Sequence, residues 1–120
     1  MVWGFILIIM LSKKSKISKK LFDQVFKEGK VYHSDSLYAK ILKIGLAEEN
    51  KFSIVVPKKI SKKAVTRNLL KRRGFFILEK HLEKIISPYA IIFFLKKEIE
   101  FEEYEKEILN LLQKSKLLNS

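Results

Sequence analysis

The sequence contains no cysteine among its 120 residues. This absence excludes a disulfide scaffold, a cysteine nucleophile and a zinc site with cysteine ligands. The four glycines are too far apart in the sequence to form a phosphate-binding loop. Acidic residues are also few, because 13 aspartates and glutamates are outnumbered by 25 lysines and arginines. The resulting formal net charge of +12 at pH 7 makes a polyanion the expected partner, either a nucleic acid or an anionic membrane.

The length and the hydrophobic content predict one folded domain, which we expect to span residues 11–120. A chain of 120 residues fits a single domain, and 48% hydrophobic residues are enough for a core. Residues 2–11 are apolar but too few to cross a bilayer, which needs about 20 apolar residues. Because Met10 offers an alternative start, we interpret residues 1–10 as an N-terminal extension without a function.

The positive charge is concentrated in one stretch of the chain. Residues 1–73 hold 18 basic and 5 acidic side chains, whereas residues 74–120 hold 7 basic and 8 acidic ones. Eight basic residues and no acidic residue lie between Lys58 and Arg73, and this stretch contains all three arginines. Arginine pairs with phosphate through a planar fork of donors, so the stretch favours nucleic acid. The alternative is a solvated helix face, although such a face normally mixes charges of both signs.

The hydrophobic pattern predicts an α+β fold with the order helix, strands, helix, strand, helix, arranged as a two-layer α/β sandwich. Ser18 is the predicted N-cap of a first helix that ends at Gly29. Strands are predicted at residues 37–46 and 52–56, and we expect these two strands to pair as a hairpin.

The second half of the chain predicts a long helix, a buried strand and a final helix. Ser61 is the predicted N-cap of the long helix, which extends to about Lys84. The apolar run Tyr89–Leu95 predicts a strand buried on both faces. Residues 102–118 predict an amphipathic helix, and the glutamates between Glu98 and Glu107 are interpreted as its solvent face.

The long helix is predicted to present basic residues on one face. At about 100° per residue, Lys63, Arg67 and Lys71 follow one another along the helix, with Asn68 beside them. Gly74 is interpreted as a tolerated helix glycine rather than a place of close contact. The residues expected to cover the sheet from the other side of this helix are Val65, Leu69, Leu70, Phe76 and Ile77.

Residues 55–73, VVPKKISKKAVTRNLLKRR, resemble the signature of the bacterial ribonuclease P protein subunit. That family places a Lys-Lys pair after a strand and an Arg-Asn-x-x-Lys-Arg motif, usually with a second arginine at its third position, on the following helix. Lys58 and Lys59 match the pair, and residues 67–72 match the motif except at Leu69, which replaces its second arginine. Residues 13–30 are similar to the basic N-terminal region of the family, and the resemblance extends from about residue 11 to about residue 115.

The resemblance implies a left-handed βαβ crossover, an exception to the usual right-handed rule. It also implies a cytoplasmic subunit that assists removal of the 5′ leader from precursor tRNA, with the chemistry carried by a catalytic RNA in a complex of one RNA and one protein. Mg²⁺ is implied as a cofactor bound mainly by the RNA, with no site on the protein, and a membrane is not an expected partner. The residues expected to bind the catalytic RNA are Lys58, Lys59, Lys62, Lys63, Arg67, Asn68, Lys71, Arg72 and Arg73.

The resemblance further implies a cleft for the single-stranded leader, lined by Phe22, Phe26 and Lys40. Aromatic rings stack on unpaired bases with little sequence preference. The two phenylalanines are also compatible with plain core packing. For the whole chain, two alternatives stay open: a ribosomal or general RNA-binding protein with no enzymatic role, and a membrane-surface protein that uses residues 2–11.

Overall fold

The computed structural model describes residues 17–45 and 49–118, which form a four-stranded sheet with three α-helices. The α+β class is confirmed, although the first strand was not predicted. Residues 1–10, interpreted above as an extension, lie outside the described residues. The elements are α1 (Lys19–Glu28), β1 (Lys30–His33), β2 (Leu37–Lys43), β3 (Lys51–Val55), α2 (Ala64–Lys80), a 3₁₀ turn (Leu82–Lys84), β4 (Tyr89–Leu95) and α3 (Phe101–Lys114).

The strands lie in the order β1-β2-β4-β3. Strand β2 pairs antiparallel with β1 and β4, whereas β3 pairs parallel with β4. The predicted hairpin between β2 and β3 is therefore wrong, because both edges of β2 are taken by other strands. The fully apolar β4 lies between β2 and β3, where burial on both faces favours such a strand. Helix α2 connects the two parallel strands and completes a βαβ unit.

Alternation along the strands divides the core into two clusters, one on each face of the sheet. Ile91, Phe93 and Leu95 of β4 join the larger cluster, which α2 and α3 cover. Ala90, Ile92 and Phe94 point to the other face and join a smaller cluster that includes Val25 of α1. Helix α1 thus covers part of a face that a strict two-layer sandwich would leave bare.

The boundaries of α1 agree with the prediction. The Ser18 hydroxyl accepts a hydrogen bond from the backbone N–H of Leu21 at 3.2 Å, as expected for an N-cap. The helix ends at Gly29, whose N–H donates to the Val25 carbonyl at 2.8 Å. These contacts fix the residues at which α1 begins and ends.

Helix α2 begins later and ends earlier than predicted. Its N-cap is Lys63 rather than Ser61, because the chain after β3 first makes a turn in which Ile60 N–H donates to the Pro57 carbonyl at 3.0 Å. At the other end, the helix stops at Lys80 and a short 3₁₀ turn follows. The predicted inner face is also correct at only two of its five residues. Leu70 and Ile77 are buried, whereas the exposed side of the helix carries Val65, Leu69 and Phe76.

Gly74 is a place of close contact and not merely a tolerated residue, so that interpretation was wrong. A Cβ atom at this position would overlap Ile54 Cδ1 and the Tyr104 hydroxyl oxygen. The Tyr104 hydroxyl is fully buried and donates to the Leu70 carbonyl at 3.0 Å, and burial raises the pKa of this phenol. The glycine therefore allows α2 to approach α3 and β3 closely.

We expect Gly74→Ala to lower the free energy of unfolding by about 1–2 kcal/mol. The strain of overpacking and the disturbed Tyr104 hydrogen bond outweigh the better helix propensity of alanine, which is worth about 1 kcal/mol. Urea denaturation measures the change, and Asn68→Ala in the exposed part of the same helix is the matched control. A Gly74→Ala variant as stable as the control would contradict the close-contact interpretation.

The glutamates at the start of α3 do not all face solvent as predicted. Glu102 and Glu103 are exposed, but Glu107 is only 5% exposed. Its Oε1 accepts hydrogen bonds from the Ser34 hydroxyl and the Ser36 N–H, both at 2.6 Å. Glu107 therefore fastens the connection between β1 and β2 to α3.

Candidate nucleic-acid interface

The turn after β3 and the first half of α2 form a basic surface that is free of acidic side chains. Lys58 and Lys59 lie in the turn, and Lys62 and Lys63 lie just before the helix; all four side chains are exposed. The first acidic residue after Lys58 is Glu79, near the end of α2. Eight of the 25 basic residues thus follow one another without an intervening acidic residue, as expected for a surface that binds a polyanion.

The helical residues of this basic surface spread around α2 instead of forming one line. Asn68 and Arg72 are exposed, whereas Lys71 and Arg73 are half-buried. At 100° per residue, Lys71 and Arg73 lie on opposite flanks of the helix, with Arg72 between them on the side away from the core. The predicted residues are brought together, but they cover an arc of the helix wider than a single ridge.

Arg67 has a structural role that its spacing in the sequence did not indicate. Its Nη1 donates to the carbonyl oxygens of Ser61 and Lys62, at 3.0 and 2.9 Å. The guanidinium thereby ties the chain before the helix to the first turns of α2. Arg67 thus positions the preceding lysines in addition to carrying charge itself.

The opposite end of α2 is held by an ion-pair cluster on α3. Glu105 Oε2 lies 2.9 Å from Lys80 Nζ and 3.0 Å from His81 Nε2. The hydrogen bond from Lys80, and to a smaller extent the one with His81, holds the pKa of Glu105 below its usual value. The basic surface is thus carried by a helix anchored to α3 near its C-terminal end.

An aromatic surface lies on the α1 face of the sheet. The Phe22 and Phe26 rings stack with centroids 6.4 Å apart, and both make edge contacts with Phe94, at 6.4 and 6.1 Å. Tyr38 stacks on Phe94 with centroids 4.6 Å apart and rings 8° from parallel. His33 continues the row, its ring centroid 5.5 Å from that of Tyr38. Sequence reasoning predicted only the first two members of this row.

Lys40 lies at the predicted place beside the aromatic surface. Its Nζ is 3.6 Å from the centroid of the Phe26 ring and donates to the Phe26 carbonyl oxygen at 2.9 Å. This cation–π contact draws an ammonium group onto a ring that is open to solvent, since Phe26 is 48% exposed. Phe22, by contrast, is half-buried against the smaller core cluster.

The basic and aromatic surfaces adjoin at one end of the sheet. In the sheet register, Phe94 lies between Tyr38 of β2 and Val55 of β3. The chain reaches Lys58 only three residues after Val55. Stacking rings beside clustered cations are typical of proteins that bind single-stranded nucleic acid.

The described residues offer no comparable support for a metal site or a membrane span. Within residues 17–45 and 49–118, no group of three or more His, Cys, Asp or Glu side chains could hold a metal ion. In the same ranges, no helix is long and apolar enough to cross a membrane.

Comparison with known proteins places the chain in a family. The family model for ribonuclease P matches residues 11–116. A ribonuclease P protein component of Rippkaea orientalis is 32% identical over 108 residues, which cover 84% of this chain and 85% of that protein. A second, of a Picosynechococcus strain, is 34% identical over 94 residues, with coverages of 76% and 80%. The chain belongs to the ribonuclease P protein component family.

Solved structures of similar proteins share the fold. The RNase P protein of Staphylococcus aureus aligns with a TM-score of 0.78 at 19% identity, over 88% of this chain and 98% of that one. The RNase P protein of Thermotoga maritima aligns with a TM-score of 0.73 at 26% identity, with coverages of 82% and 96%. The similarity therefore includes the sheet and the helices that carry both surfaces.

Proposed function

We propose that this chain is the protein subunit of a ribonuclease P and binds the catalytic RNA through its basic surface. The observation that supports this most directly is the acid-free stretch from Lys58 to Arg73, whose lysines Arg67 ties to α2, a helix held to α3 at its C-terminal end. Each phosphate neutralised by such a surface releases counterions, so binding should weaken steeply with salt. The residues proposed to contact the catalytic RNA are Lys58, Lys59, Lys62, Lys63, Arg67, Asn68, Lys71, Arg72 and Arg73.

The aromatic surface is proposed to hold the 5′ leader of precursor tRNA. Phe22, Phe26 and Lys40 belong to this surface, Tyr38 extends it, and the buried Phe94 supports the rings from within the core. Bases of any sequence can stack on aromatic rings, which suits a leader that differs from one precursor to the next. The nearby Lys58 and Lys59 would allow one bound leader to remain close to the catalytic RNA.

In this proposal the RNA, not a protein side chain, carries the hydrolysis. Mg²⁺ would be bound mainly by the RNA in a cytoplasmic complex of one RNA and one protein. The chain itself would contribute by binding and orienting the precursor, which lowers the entropic cost of bringing the leader to the reacting phosphate.

Reconstitution tests the proposed function. The purified chain alone is expected to cleave no precursor tRNA, whereas its addition to the cognate catalytic RNA should lower the magnesium concentration needed for cleavage and strengthen precursor binding. No improvement at near-physiological magnesium would contradict the proposal. Sequencing the RNA that co-purifies from cells is an independent check, and a predominance of ribosomal RNA would favour a general RNA-binding protein instead.

A further inference from the structure

The side of α2 that faces away from the core carries an apolar stripe. It consists of Val65, Leu69 and Phe76, which are 78%, 36% and 45% exposed. These residues are spaced by four and seven positions, so they lie along one side of the helix. Phe76 also contacts Phe101 of α3, with ring centroids 6.1 Å apart, and this contact extends the apolar surface toward α3.

The charges around the stripe indicate what could cover it. At 100° per residue, Arg72 and Arg73 lie one on each side of the line from Leu69 to Phe76. A second copy of this chain would bring the same basic residues against them, and like charges brought together oppose association. A single-stranded or looped RNA offers the complementary combination, because it presents apolar base faces between negatively charged phosphates.

We propose that the apolar stripe binds an unpaired base of the catalytic RNA, while Arg72 and Arg73 bind the phosphates on either side of that base. The proposal rests on the proposed function and adds an apolar contact to its electrostatic one. Leu69 occupies the place where the family motif has its second arginine. At that position the chain therefore has an apolar side chain in place of a charged one.

Salt-dependent binding separates the two kinds of contact. We expect a Leu69→Ser, Phe76→Ser double variant to bind the catalytic RNA about tenfold more weakly, with an unchanged slope of log affinity against log salt, because no charge is removed. Arg72→Gln is the matched control and should reduce that slope by about one. Leu69→Ser alone leaves the Phe76–Phe101 contact in place, so a weaker affinity in this variant cannot come from lost packing on α3.

Each outcome of this measurement is informative. Unchanged affinity in the double variant, together with tight binding by the unmodified chain, would overturn the stripe proposal and leave the proposed function intact. Failure of the unmodified chain to bind the RNA would overturn both. Sedimentation of the free protein tests whether a second copy of the chain covers the stripe instead. A dimer that forms with the unmodified chain but not with the double variant would assign the stripe to self-association and overturn the proposal.

The absence of cysteine allows a direct test of the nucleotide that is bound. Leu69→Cys would carry the only thiol of the chain, to which a short photo-crosslinker can be attached. In the complex we expect crosslinks to unpaired nucleotides of the catalytic RNA. Asn110→Cys, at an exposed position of α3, is the control. Crosslinks no more frequent than at the control position, or confined to paired nucleotides, would overturn the proposal.

Discussion

Arg67→Ala is expected to weaken binding to the catalytic RNA by about 10- to 100-fold, more than Arg72→Ala does. The variant loses one charge and also the two hydrogen bonds to the Ser61 and Lys62 carbonyls. Without them, the lysines before α2 lose the fixed position in which we propose they contact phosphates. Charge-assisted hydrogen bonds of this kind are each worth about 1.5–3 kcal/mol, so the effect exceeds that of one exposed phosphate contact.

Affinity measured over a range of salt concentrations checks this prediction. Arg72→Ala should lower the slope of log affinity against log salt by about one, whereas Arg67→Ala should lower it further because several cations are displaced. Arg67→Lys is expected to recover only part of the affinity, since an ammonium group lacks the planar fork of guanidinium. Equal slopes for the Arg67→Ala and Arg72→Ala variants would show that Arg67 acts only as one charge among others.

Phe26→Ala is expected to weaken the binding of precursor tRNA by about 5- to 100-fold and to leave mature tRNA unaffected. Stacking of a base on an aromatic ring is worth about 1–3 kcal/mol, and only the precursor has a leader that could stack. Because Phe26 is 48% exposed, its removal should cost less stability than removal of the half-buried Phe22. Binding of the two tRNAs to the assembled RNA–protein complex provides the measurement.

Phe22→Ala is the informative comparison for this prediction. Phe22 packs against the smaller core cluster, so its replacement should lower the melting temperature as well as precursor affinity. If Phe22→Ala and Phe26→Ala both lower the melting temperature without separating precursor from mature tRNA, the aromatic surface is core packing and not a leader site.

The sequence predicts the elements of this fold better than their pairing. The caps of α1 and the burial of Tyr89–Leu95 follow from local chemistry, and the structure confirms both. The pairing of β3 with β4 does not follow from local chemistry, because hydrophobic alternation predicts that a segment is a strand but not which strand pairs with it in the sheet. The short, mostly exposed β1 has too weak a pattern to be recognised, although its presence decides which edge of β2 remains for β4.

The same limit applies to the candidate site. The basic stretch can be predicted from the sequence alone, because a cluster of charged residues is visible in the order of the amino acids. Phe94 was missed because every position of β4 is apolar, so the sequence does not show which residues face α1. Val65, Leu69 and Phe76 were assigned to the core for a similar reason, because α2 has large apolar residues around most of its circumference and only the packing shows which of them are covered.

The position of β4 between β2 and β3 has a consequence for synthesis of the chain. Residues 89–95 leave the ribosome after both of their neighbours in the sheet and after the whole of α2. Until then, β2 and β3 have unpaired edges, and the larger core cannot close. The acid-free basic segment on α2 is therefore exposed in the nascent chain before the sheet on which α2 packs is complete. The sheet that supports the proposed RNA-binding helix is therefore completed only after β4 has left the ribosome.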